Sequence, residues 1–199
     1  MANHCWNWVQ IIGERKTLEK IQKKFEKYEE TNYFAEFGDY VLDKGKIGDD
    51  VEILKQRHED VGYSYGTRWW DFTMDAEDTA ENTVLTITGD SAWGPPNILI
   101  CQIAKVYGVK TEIEYDEPGM GFAGKVSWDE SGVVIDGWEG TSDEMRYNDD
   151  VGGWIEDRMY CYEGENNQEY TYKKLRKDYP YATKEHVREL REEIIKLNE

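Results

Sequence analysis

Three features point to an α+β protein: β-branched and aromatic runs of strand length, amphipathic stretches with helical spacing, and glycine, proline or asparagine punctuation between them. Of the 199 residues, 39% are hydrophobic and 14% aromatic, including eight Trp and fourteen Tyr, which is far too aromatic for a disordered acidic chain. The length suits one domain with an elaboration or a small appendage, because domains most often run about 100 to 150 residues.

Residues 6–12 (WNWVQII), closed by Gly13, read as a first strand. Thr17 is the expected cap of a helix whose stripe Leu18, Ile21, Phe25 and Tyr28 follows helical spacing, leaving Lys20, Lys23, Lys24 and Lys27 largely on its outer face. From Asp39 to Asp60 the pattern dissolves into Gly, Asp and Lys, with one helical turn expected near Val51–Leu54, so this stretch reads as a surface excursion. Residues 63–74 (YSYGTRWWDFTM) and 83–89 (TVLTITG), separated by polar DAEDTAEN, predict an antiparallel pair. Pro95 and Pro96 stand at the mouth of a second helix, Asn97 to Tyr107, which Gly108 stops. A further strand follows at 110–116, and 126–128 with 133–138 flank Asp129-Glu130-Ser131-Gly132 as a hairpin.

Strand, helix, strand, strand, helix, strand is the βαββαβ order of a ferredoxin-like fold, an antiparallel sheet with two helices on one face. Beyond Trp138 the expectation is a second hairpin from MYCY and EYTY around Gly164 to Asn167, then a helix from Thr183, its cap, to Leu197. The predicted organisation is a ferredoxin-like domain over 1–138 and an acidic extension over 139–199 that ends in an amphipathic helix.

The net charge of −18 is unevenly spread: residues 29–90 carry −11 and 110–170 carry −13, whereas 1–28 carry +3, 91–109 carry +1 and 171–199 carry +2. Such acid blocks repel phosphate backbones and anionic membrane surfaces, so direct nucleic-acid and membrane binding are disfavoured and a basic protein partner is favoured. The bland alternative is an acidic surface that only confers solubility. Cys5, Cys101 and Cys161 are odd in number, widely separated and without a CxxC pair, which suggests a reducing, cytoplasmic setting. The chain shows neither a long apolar run nor a signal-peptide pattern.

No catalytic constellation is legible. His4, His58 and His186 lie far apart outside zinc-binding spacings, so neither metal nor cofactor is expected. His4 and Cys5 are adjacent on a strand and so point to opposite faces. Gly119, Gly121 and Gly124 form a literal GxGxxG, but the segment follows Pro118 and leads into a strand, unlike a dinucleotide loop that opens a helix.

Three segments differ from generic core: GTRWWD (66–71), SAWGPP (91–96) and EPGMGFAG (117–124). Together with the opening NHCWNWVQIIG they resemble the YubB ferredoxin-like family, also called Api92-like proteins, over roughly residues 1–138. The resemblance departs at the start, where His4-Cys5-Trp6 replaces the family's Trp-Cys order, and residues 139–199 lie outside the shared pattern. It implies an accessory protein of phages or other mobile elements and implies no reaction. Combined with the charge, it leads to a non-enzymatic protein that binds and inhibits a host protein with a basic surface, such as a nucleic-acid-handling defence enzyme, by a DNA-mimic-like acidic surface. Asp143, Glu144, Asp149, Asp150, Glu156, Asp157, Glu163 and Glu165 are the candidates for that surface. The alternative is a small-molecule or nucleotide-binding module, or a weak enzyme, on an aromatic patch of Trp69, Trp93 and Phe122 with Arg68, Asp71, Glu117 and Met120 around it.

Overall fold

The structure is a computed structural model that describes residues 3–27, 34–42, 65–78, 83–162 and 171–198. It divides into two compact units, Met1–Glu139 and Gly140–Glu199.

The first unit is built on a six-stranded sheet. Its strands are β1 (His4–Gly13), β2 (Trp70–Asp78), β3 (Thr83–Ala92), β4 (Lys110–Glu117), β5 (Phe122–Trp128) and β6 (Val134–Gly140), in the spatial order β2-β3-β1-β4-β5-β6. Central β1 pairs antiparallel with both β3 and β4. Alternation sorts its side chains: Cys5, Asn7, Val9 and Ile11 are buried, whereas Trp6, Trp8, Gln10 and Ile12 face the other way. The buried face joins Leu85 and Ile87 of β3 and Ile113 of β4 in one core.

Helix α1 (Arg15–Glu26) covers that face with Leu18, Ile21 and Phe25, and α3 (Asn97–Tyr107) covers it with Leu99, Ile100, Ile103 and Ala104. The expected cap Thr17 lies inside α1; Glu14 takes the capping position, and its carbonyl accepts from Thr17 N at 2.9 Å. A third helix, α2 (Phe34–Leu42), starts before the expected surface excursion and takes in its first residues, Asp39–Leu42. Its Phe37 and Val41 lie one turn apart and are buried, which gives this short segment an apolar side. The expected turn at Val51–Leu54 lies outside the described residues. Strand β2 starts at Trp70, later than the sequence suggests, because Gly66 adopts a positive φ of 97° and Tyr65–Trp69 forms a loop.

The second unit is helical: α4 (Ser142–Asp149), α5 (Val151–Tyr160), α6 (Tyr172–Asp178) and α7 (Lys184–Leu197). Trp154, Leu175, Val187, Leu190 and Ile194 form its buried core. Thr141, Asp150, Thr171 and Thr183 each cap a helix through a side-chain oxygen, Thr183 accepting from His186 N at 3.2 Å. The expected hairpin is thereby corrected: Met159 and Tyr160 end α5 and Tyr172 opens α6. Val151, Ile155 and Met159 sit at helical spacing against the core, a period that outweighs the strand preference of the tyrosines.

Candidate functional site: an acidic sheet face and a motif-bearing sheet end

The antiparallel register brings the three motifs to one end of the sheet, at the start of β1, β2 and β5 and the end of β3 and β4. Asn3 lies between two of them. Its carbonyl accepts from Trp93 N at 3.0 Å, and its side chain lies beside Gly119, where an added Cβ would come within 2.9 Å of Nδ2. The loop bearing Thr67 is tied to the same place, with its hydroxyl 2.8 Å from the Ala92 carbonyl. Beneath them Asn7 Nδ2 donates to Ser91 Oγ and to the Cys5 carbonyl, both at 2.8 Å, and Ser91 Oγ donates to the Gly94 carbonyl at 2.8 Å. These buried bonds make much of each motif structural.

Trp69 is half-buried and meets His4 edge to face at 5.2 Å, while its neighbour Trp70 is buried in the core beside Phe72. Trp93 is 42% exposed and carries a φ of 65°, which is costly for a bulky residue. Phe122 packs against the core and Tyr115. Trp69, Trp93 and Phe122 thus share a sheet end without any ring contact joining the three among the described residues. Arg68 and Asp71 are exposed and Met120 is 66% exposed. Glu117, expected on the rim, is instead fully buried: one carboxylate oxygen accepts from Met120 N, and the other has no hydrogen-bond partner. The GxGxxG segment is the β4–β5 turn, closed by Gly121 N donating to the Glu117 carbonyl at 2.8 Å with Gly121 at a φ of 72°. Burial pushes the Cys5 thiol up to about 12, so it stays protonated and unreactive.

The sheet face opposite the helices is the larger feature. Register places Asp71 opposite Asp90, Asp90 and Asp116 on either side of Trp6, and Glu114 beside Trp8. Asp75 and Glu77 of β2 and Glu112 of β4 extend the same face. Against these seven carboxylates stand Lys110 and Lys125, the latter 2.8 Å from Glu112, with His4 3.7 Å from Asp90. Trp6, between Asp90 and Asp116 toward the motif-bearing end of this face, is 41% exposed. Most of these acids were not singled out from sequence, yet their signal was there: in KTEIEYDE, Glu112, Glu114 and Asp116 alternate with buried Thr111, Ile113 and Tyr115.

The acids of the second unit divide by what they touch. Asp143 lies 2.8 Å from Arg158 and accepts from Tyr181, Asp157 lies 3.2 Å from Arg146, and Asp150 caps α5. Asp149 and Glu156 are exposed and Glu144 is half-buried, whereas Glu163 and Glu165 lie outside the described residues. His186 receives or donates a 2.9 Å hydrogen bond with Tyr147, and among the described residues no His, Cys, Asp and Glu cluster is arranged to hold a metal. No helix among them is long and apolar enough to cross a membrane.

A family model described as the ferredoxin-like domain in Api92-like protein matches residues 69–173, beginning at the second motif-bearing strand and running past the 138 boundary expected for the shared pattern. No curated protein and no solved structure matches the chain. The match covers more than half of the sequence and agrees with the ferredoxin-like sheet described above, so this chain belongs to the Api92-like family.

Proposed function

We propose that this chain is a non-enzymatic accessory protein of a mobile genetic element that binds a basic host protein through the acidic face of its sheet. The carrying observation is the set of seven carboxylates on the sheet face opposite α1 and α3, with Asp90 and Asp116 flanking Trp6. Charge of one sign on a broad surface accelerates encounter with an opposite charge and makes binding fall with ionic strength, while a half-exposed Trp offers an anchor. A surface that neutralises phosphate-binding Lys and Arg would compete with nucleic acid, which is the sense in which it mimics DNA. The exposed, conformationally strained Trp93 favours the second reading, a small-ligand site at the sheet end.

Affinity capture from host lysate at low and moderate salt tests the proposal. The expected catch is a nucleic-acid-binding protein that elutes between the two salts, is displaced by DNA, and is lost with Asp71→Asn/Asp90→Asn/Asp116→Asn. Retention indifferent to both salt and that triple variant would overturn it. Loss with Asp149→Asn/Glu156→Gln instead would move the working surface to the second unit, and loss only with Trp93→Ala would favour the sheet-end reading.

A further inference from the structure

On the other side of the first unit lies a feature of opposite sign. Lys16, Lys20, Lys23 and Lys27 follow one another at intervals of four, three and four residues, which stacks them in a row along α1. The row borders a groove of about 690 Å³ formed with Tyr40 of α2. Lys24 fixes its wall, donating to the Tyr40 carbonyl at 2.9 Å with its ammonium 5.2 Å from the Tyr40 ring. Glu19 also lines the groove, but Arg15 pairs with it at 3.1 Å.

This row works against its own helix. Like charges four residues apart repel, and Lys16 sits in a first turn that has no acidic residue, where the helix dipole disfavours a cation. Acidic residues outnumber basic ones by 42 to 24 in the chain, yet among the described residues no ion pair is formed by Lys16, Lys23 or Lys27. A cationic row beside a groove is the complement of a compact polyanion. The volume is that of a small-ligand site, and the surrounding negative field favours a few phosphates over an extended nucleic acid.

We propose that this groove binds a small oligophosphate ligand, with its phosphates along Lys16, Lys20, Lys23 and Lys27 and the exposed Tyr40 ring available to a base. The proposal is independent of the acidic sheet face. Calorimetric titration of the full chain with inorganic tripolyphosphate and with a nucleoside triphosphate tests it. One saturable site is expected, weakened at least tenfold by Lys20→Gln/Lys23→Gln and unchanged by Lys173→Gln/Lys174→Gln on α6. Tighter binding of the nucleoside triphosphate that Tyr40→Leu abolishes would identify a nucleotide as the ligand; equal affinity would identify a free oligophosphate. No saturable binding of either probe, equal loss in the two lysine variants, or a clear preference for a long single-stranded oligonucleotide would overturn the proposal. Unchanged melting temperatures of the unliganded Lys→Gln variants would show that any loss of binding is not a loss of folding.

Discussion

Asp71 and Asp90 face one another directly across β2 and β3, with Trp6 on the far side of Asp90. Directly opposed like charges in a sheet are destabilising, which identifies this pair as a place where the surface is held against local stability. Asp71→Asn/Asp90→Asn is therefore expected to raise stability by about 0.2–1 kcal/mol at low salt, and by less at high salt, in chemical denaturation. Unchanged or lower stability at low salt would contradict the electrostatic account. At this scale the sequence was least informative. Trp69 and Trp70 are adjacent and chemically identical, yet one is half-buried at the rim and the other is in the core, because Trp69 ends the Tyr65–Trp69 loop whereas Trp70 opens β2 on its core-facing side. Glu117 read as a rim acid because its motif is polar and glycine-rich; its burial follows from its phase with Thr111, Ile113 and Tyr115 on β4. Trp93's left-handed backbone has no signature in the residue type, since tryptophan ordinarily avoids it.

Elements were legible wherever a single period ran unbroken. Strands β1, β3 and β4, helices α3 and α7 and the Asp129–Gly132 turn stand close to where alternation, proline placement, capping and turn chemistry put them. Helix α2 was not legible, because its nine residues contain Gly38 and Asp39 and only tertiary packing of Phe37 and Val41 stabilises so short a helix. The pairing of β2 with β3 rests on a residue that looks incidental in sequence. Gly89 lies opposite Phe72, and a Cβ there would come within 1.9 Å of the Asp71 carbonyl oxygen, so the strands can approach this closely only with glycine at that position. Gly89→Ala is expected to destabilise the first unit by about 1–3 kcal/mol or more, through backbone displacement and disturbed packing of Phe72. Urea denaturation followed by Trp fluorescence would show it, and a wild-type midpoint would mean that the strands part without cost.

For the whole molecule, two separately cored units combine a bipolar first unit with a helical second one. Both share a response to alkali. Burial raises the Cys5 thiol and the Tyr65, Tyr115, Tyr179 and Tyr181 phenols above their ordinary values, with nearby carboxylates or hydrogen bonds adding to the rise for the tyrosines. The unfolded chain therefore releases these protons first. Stability is complete below the ordinary thiol and phenol range, near pH 8.5–10, and is lost as pH climbs toward the folded-state values, by up to about 1.4 kcal/mol per group for each pH unit. Denaturation midpoints measured from pH 7 to 11 should fall above about pH 9, and a flat profile would contradict the burial of these groups. The α+β class, the βαββαβ order, the family and the uneven charge were all readable from residue patterns, because each depends on neighbours a few positions apart or on counts along the chain. The outer lysine face of α1 was readable in the same way, but the acidic sheet face was not assembled there, even though its residues alternate in plain view. Register between strands far apart in sequence, and the choice of which face the helices cover, are made by burial of the common core, and those choices put Asp71, Asp90 and Asp116 around one tryptophan.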